Sequence, residues 1–383
     1  MTDLATARQI LDTLIGFDTT SRNSNLALIE WVEAYLARHG VESQRVPNED
    51  GRKANLFATC GPKVEGGVIL SGHTDVVPID GQDWSSDPWT VREADRKLFG
   101  RGVADMKGFI ALALAFVPRF VAGKLPVHLA LSYDEEVGCQ GAPAMIARMA
   151  QDIPSPRLAI VGEPSLMGII TGHKGIAVHE VSVRGHAAHS SLVDHGISAN
   201  AVAVGLMHEL LALAEELRAR ADPDNGFDPP QATLTIGVME GGTASNILAG
   251  HARFQFDLRC PPGEDAAAIL APFKARCEAL DAELKSRFPD AGVQVEQHAG
   301  TPPMTPQGSE AAVAFVRALT GENGAPGQVA FAAEGGQFQA AGFPTVICGP
   351  GSIEQAHQPD EWIALSELEK GAAFMQRLAE RLG

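Results

Sequence analysis

This 383-residue chain has few cysteines, little positive charge and no long apolar run. The five cysteines (Cys60, Cys139, Cys260, Cys277 and Cys348) are odd in number, widely spaced and without a CxxC pair. That excludes a disulfide framework and favours a reducing compartment. No apolar run approaches the roughly 20 residues needed to span a bilayer, so no membrane partner is expected. The opening MTDLATARQILDTL lacks the basic-then-apolar order of a secretory leader, and a cytoplasmic location is expected. Lys and Arg number 30 against 47 Asp and Glu, a net charge of -17. Phosphate recognition wants clustered Lys and Arg, so no nucleic-acid partner is expected. The charge is compatible with cationic substrates, although its first role is solubility. There is no internal repeat and no low-complexity segment.

What is present is an ordinary globular composition, 45% apolar and 20% charged, in a chain too long for one core. Helical periodicity marks residues 4–16 and 25–39, with Ser24 as the N-cap of the second. Apolar strands near 54–59, 66–72, 126–133 and 157–161 alternate with helices near 107–121 and 141–150. That alternation predicts an α/β fold, a mixed sheet covered by helices. Residues 178–297 read differently: strand 178–184, helix 197–221, strands 232–238 and 251–259, helix 263–287, strand 292–297. This β-α-β-β-α-β order is the ferredoxin-like split unit, complete in itself. A helix near 309–319, a strand near 344–348 and a helix near 365–382 then resume the first pattern. The expected organisation is a discontinuous catalytic domain, 1–177 and 298–383, carrying an inserted domain at 178–297.

The chemistry-bearing residues fall at the carboxyl ends of these strands, where open α/β sheets bind ligands. They are His73 in SGHTDVVP, Asp105 in GRGVADMKG, Glu135 and Glu136 in SYDEEVG, Glu163 in VGEP and His357 in EQAHQPDE. A lone histidine at a strand end is ordinarily structural, DEE alone a solvated turn, and Asp105 alone a helix N-cap. Taken together they suit two zinc ions, which take imidazole and carboxylate donors and share a bridging carboxylate. His73, Asp105, Glu136, Glu163 and His357 give two private ligands per ion and one bridge. Neighbouring side chains diverge, so Glu135 is left to act as general base. Asp75, two residues after His73, is placed to accept the other imidazole N–H. Cobalt or manganese would suit the same donors.

In this order the motifs resemble the dinuclear zinc amidohydrolases that include the acetylornithine deacetylases, succinyl-diaminopimelate desuccinylases and glutamate carboxypeptidases. The resemblance extends through GHKG, HAAHSS, GGTASNI, DLR and CGPGSIEQAHQPDE, nearly the whole chain. It implies that Asp105 bridges the metals and follows into a cis peptide with Met106. It further implies His73 and Glu163 on one ion, Glu136 and His357 on the other, and Glu135 as base. It implies a homodimer formed through the insert, which acts as a lid. His189 would reach the neighbouring subunit's site and hold the oxyanion, with His186 as a nearby competitor. Lys174, Asn246 and Arg259 would hold a substrate carboxylate. CGPGSIEQAHQPDE is most like the deacetylases. Glu334, in FAAEGGQF, would repel a second carboxylate and favour a cationic tail. The expected activity is hydrolysis of a small-molecule N-acyl-L-amino acid, N-acetyl-L-ornithine first. The alternatives are a desuccinylase, another N-acyl-amino-acid deacylase or a dipeptidase. A catalytically silent metal- or ligand-binding relative is the reading from a different class.

Overall fold

The computed structural model describes residues 3–383; Met1 and Thr2, where the segment read for a leader begins, lie outside them. In chain order the strands are β1 Ser43–Pro47, β2 Ala54–Cys60, β3 Val68–His73, β4 Arg92–Ala94, β5 Lys97–Phe99, β6 Val127–Ser132, β7 Leu158–Pro164, β8 Ile170–His173, β9 Gly175–Arg184, β10 Thr233–Gly241, β11 His251–Cys260, β12 Gly292–Thr301, β13 Gly327–Val329, β14 Thr345–Gly349 and β15 Trp362–Ala364. The chain divides into two compact units. One runs to His173 and takes up Met304–Gln328 and Ala333–Gly383; the other is Lys174–Pro303 with Val329–Ala332.

The first unit is built on a mixed sheet in the order β1-β2-β6-β3-β7-β14-β8, with β13 at its far edge. Its centre, β6-β3-β7-β14, is parallel. Strands β1 and β2 on one side, and β8 on the other, run antiparallel to their neighbours. Side chains alternate between two buried faces, which is why the central strands read as continuous apolar runs. Leu70, Leu129, Ile160 and Val346 pack with Leu11, Leu28, Phe109 and Phe374. Ile69, Ala130, Val161 and Ile347 face the other way, toward Met145, Met149 and Phe338.

Two local expectations need correction. The helix expected over 107–121 is two helices, Lys107–Ala115 and Val117–Val121, meeting at Phe116. Pro118 lacks the N–H that would continue the ladder, and its ring crowds the carbonyl four residues back. Helix Leu26–Arg38 is preceded by Asn25 as N-cap, not Ser24. The Asn25 amide is turned away to Ala54 and Thr74, while the Ser24 hydroxyl accepts from the Leu26 N–H at 3.2 Å.

The second unit has one antiparallel sheet, ordered β10-β11-β9-β12. This is the ferredoxin-like order expected from the sequence. Helices Ala199–Ala219 and Ala266–Arg287 pack their apolar faces against it around Val181, Leu206, Phe254, Phe256, Leu270 and Phe273. Both helices begin at side-chain caps, with Ser198 accepting from Ala201 N–H and Asp265 from Ala267 N–H.

Candidate metal centre

Strands β6, β3 and β7 lie side by side and parallel, so their carboxyl ends deliver side chains to one place. His73 is the last residue of β3, Glu163 the last but one of β7, and Glu135 and Glu136 follow β6. Asp105 precedes helix Lys107–Ala115 through a cis Asp105–Met106 peptide, as the resemblance implies. His357 follows the short turn Ile353–Gln355 with φ of 62°.

These six side chains converge. His73 Nε2 lies 2.9 Å from Asp105 Oδ1 and 3.8 Å from Glu163 Oε1. His357 Nε2 lies 2.9 Å from Glu136 Oε2 and 3.4 Å from Asp105 Oδ2. The donor atoms of His73, Glu135 and Glu163, and those of His73, Asp105 and Glu136, fall within 4.8 Å of one another. His73, Asp105 and Glu163 are buried, whereas the His357 side chain is half-exposed.

So many acids in one place perturb each other. Burial pushes Glu135 up to about 8, with Glu136 and Asp105 adding repulsion against the pull of His73. Burial and Asp105 likewise push Glu136 up to about 7. Glu163 is raised well above the carboxylate range by burial and Asp105, and its Oε1 has no hydrogen-bond partner. Asp105 goes the other way. Burial raises it, but His357 and His73 donate to it and hold it below the usual range. Burial opposes the charge on His73, yet Asp105 and Glu163 carry it well above its ordinary value. His357 is raised to about 10 by its bonds to Asp105 and Glu136. The imidazole nitrogens thus stand between carboxylate oxygens, the position a divalent cation fits, and Glu163 Oε1, without a hydrogen-bond partner among the described residues, fits the same donor set.

Asp75 supports the site differently from the expectation. The acceptor for His73 Nδ1 is the main-chain oxygen of Asp75 at 2.9 Å; its carboxylate stands off at 3.7 Å. That carboxylate accepts instead from the N–H groups of Glu135 and Glu136, at 3.1 and 3.3 Å, and from the Ser21 hydroxyl at 2.7 Å. Asp75 therefore fixes the backbone that carries the acid pair.

Sequence reading missed a second buried carboxylate, Glu361. It accepts from the N–H groups of Gly102, Ala104 and Asp105 and pairs with Arg101 at 2.9 Å, both side chains 1% exposed. It holds the Asp105 loop as Asp75 holds the Glu135 loop. The signal was present in GRG and PDE, motifs adjoining Asp105 and His357, but nothing in their spacing pairs them.

Glu334 is buried at 1% exposure, and Ser71 donates to its Oε2 at 3.0 Å. Burial pushes its carboxyl up. Glu334 therefore occupies an interior position beside Ser71, the residue two before His73 on β3. The remaining residues belong to the second unit. His189 is exposed, and its Nδ1 accepts from the Ser191 N–H at 3.2 Å and lies 2.8 Å from the Ser191 hydroxyl. His186 instead stacks on Phe288 with ring centroids 4.0 Å apart. Asn246 is exposed and tied to the His189 loop, its carbonyl accepting from Ser190 N–H at 2.9 Å. Lys174 is buried with Nζ on the Gln231 carbonyl at 2.6 Å. Arg259 donates to Asp257 at 2.8 Å and keeps 35% of its side chain exposed.

This chain belongs to peptidase family M20/M25/M40, whose sequence model matches residues 69–381. It is a hydrolase of that family. Among its relatives, the acetylornithine deacetylase of Myxococcus xanthus is 33% identical over 98% of this chain and 97% of its own length. The acetylornithine deacetylase of Proteus mirabilis (strain HI4320) is 34% identical over 97% of this chain and 95% of its own. A structure of the M20 family metallo-carboxypeptidase Sso-CP2 from Sulfolobus solfataricus shares the fold with a TM-score of 0.76 at 15% identity, over 98% of both chains. Human carnosine dipeptidase 1 does so with a TM-score of 0.72 at 18% identity, over 98% of this chain and 97% of that one.

Replacing Glu361 by glutamine leaves a buried Arg101 without its counter-charge. The expected cost is about 3–5 kcal/mol of stability, the scale for breaking a buried pair from one side. A denaturant midpoint equal to that of the parent protein would show that the pair does not hold the Asp105 loop.

Proposed function

We propose that this chain is a dinuclear metal-dependent deacylase that hydrolyses N-acetyl-L-ornithine to L-ornithine and acetate. The observation that carries the reading is the shared position of Asp105, with one carboxylate oxygen toward His73 and the other toward His357. In this reading Asp105 is the bridge, His73 and Glu163 complete one site, and Glu136 and His357 complete the other. Two zinc ions, or cobalt or manganese, would supply Lewis acidity toward the acyl carbonyl and toward water. Glu135, free of a histidine partner, takes the proton of the attacking water and hands it to the departing amine nitrogen.

The deacetylase assignment is supported by curated relatives of that name that align along nearly the whole chain. Arg259, whose side chain keeps 35% of its surface exposed, and Asn246 are the residues we assign to the substrate's α-carboxylate, with Lys174, which also donates to the Gln231 carbonyl. The five free, buried thiols support a reducing, cytoplasmic setting. Among the described residues no helix is long and apolar enough to cross a membrane.

A homodimer through the second unit is part of the proposal. Edge strand β10 exposes Val238 and Met239, and helix Ala199–Ala219, which packs on it, exposes Val204 and Leu211. An apolar sheet edge of this kind invites a second copy. His189, exposed and tethered through Nδ1 to Ser191, is the donor we assign to the partner's oxyanion.

Three measurements test these statements. Glu135→Gln is expected to keep both metals and lose at least about 10²-fold in kcat, whereas Glu136→Gln loses metal. The reverse pattern would exchange the roles of the pair. On one metal-loaded sample, kcat/KM for N-acetyl-L-ornithine is expected to exceed that for N-succinyl-diaminopimelate. A higher value for the succinylated diacid would make the protein a desuccinylase with the same metal chemistry. Mixed His189→Ala and Glu135→Gln subunits are expected to recover activity; no recovery despite proven exchange would rule out action between subunits.

A further inference from the structure

We infer that Cys139 is a positioning residue whose thiol orients the carboxylate of Glu135. The inference rests on the reading of Glu135 as general base. The main chain of Glu135 is fixed by Asp75, which accepts its N–H at 3.1 Å. The turn after it is fixed as well, with Gly138 and Cys139 donating to the Glu135 carbonyl at 2.9 and 2.8 Å. None of these bonds restrains the side chain. Among the described residues, the one hydrogen-bond donor on the Glu135 carboxylate is Cys139 Sγ, 3.2 Å from Oε1.

The backbone at Cys139 is arranged around that contact. Its φ is 54°, in the left-handed region that disfavours a β-carbon. Gln337 Nε2 donates to the Cys139 carbonyl at 2.7 Å and pins the residue there. Glycine would adopt this conformation more readily, so the side chain's contribution is what the position gains. A thiol also suits the task chemically. It is a weak donor, so it sets direction without strongly favouring the anion over the acid. An ammonium or guanidinium at this point would hold the carboxylate ionised and blunt its ability to accept a proton. With Oε1 on the thiol, Oε2 is left for the proton of the attacking water. The thiol itself stays out of the proton transfer.

The test uses the full-length, metal-loaded protein with N-acetyl-L-ornithine. Cys139→Gly removes the thiol in a residue that tolerates positive φ, and Cys139→Ala removes it in a residue that does not. Both are expected to lower kcat about 3–10-fold, which is about 0.7–1.4 kcal/mol at 1.36 kcal/mol per tenfold, with KM and metal content unchanged. Cys139→Ser keeps a hydroxyl donor and is expected to recover kcat to within about twofold of the parent. In a Glu135→Gln background, Cys139→Gly is expected to leave the residual rate unchanged, since the group it orients is gone. A parental kcat in Cys139→Gly would overturn the inference. So would a serine variant as slow as the glycine variant, or an undiminished effect in the Glu135→Gln background. Near-parental turnover in Glu135→Gln alone would instead overturn the assignment of the base.

Discussion

Four carboxylates and two imidazoles meet at the ends of three adjacent parallel strands, largely withdrawn from water. That concentration of like charge is the constraint on which the rest of the site depends. Each acid would repel its neighbours, and burial strips the water that would screen them. The structure answers with two histidines whose nitrogens fall between pairs of carboxylate oxygens. A site of this kind is a poor structural element and a good receptor for divalent cations. Asp105, Glu136 and Glu163 each stand within 4 Å of a histidine nitrogen, whereas Glu135 makes no such pair, and in the proposed function that asymmetry separates the base from the ligands.

Holding such a cluster requires anchors outside it, and here the anchors are main-chain donors gathered by buried acids. Asp75 collects the N–H groups of Glu135 and Glu136; Glu361 collects those of Gly102, Ala104 and Asp105. Each loop is therefore fixed through its backbone, independently of what its functional side chains bind. Charge-assisted bonds from backbone N–H to carboxylate are short and directional, which suits loops that must carry ligands accurately. The loops keep their shape while the functional side chains exchange protons for other cations.

The fold and the cluster were largely legible because both rest on local signals. Strand-helix alternation, the short apolar runs of β3 and β6, and turn-bounded acids at strand ends are read from neighbouring residues alone. The β-α-β-β-α-β order of the second unit was legible for the same reason. What escaped was non-local. Glu361 lies 260 positions from Arg101, and no periodicity links them. The small sheet β15-β5-β4, which joins residues near 97 to residues near 363, consists of three-residue strands too short to show alternation. The burial of Glu334 was not legible either, since its partner Ser71 lies 263 positions away on β3. Asp75 was assigned the right neighbourhood and the wrong atom, since sequence does not tell a carboxylate from the carbonyl of the same residue.

Glu334 adds a further buried acid to the surroundings of the cluster. Its carboxylate accepts from Ser71, two residues before His73 on β3. Its charge, with those of Glu136 and Asp105, adds to the burial that raises the Glu135 carboxyl. The recognition groups of the proposed function lie in the second unit, where His189 and Asn246 are exposed and Arg259 is partly buried beside Asp257. The metal donors all lie in one unit and the assigned recognition groups in the other. Metal affinity and substrate choice can therefore vary separately, because a substitution in the recognition unit leaves the charge balance of the carboxylate cluster untouched.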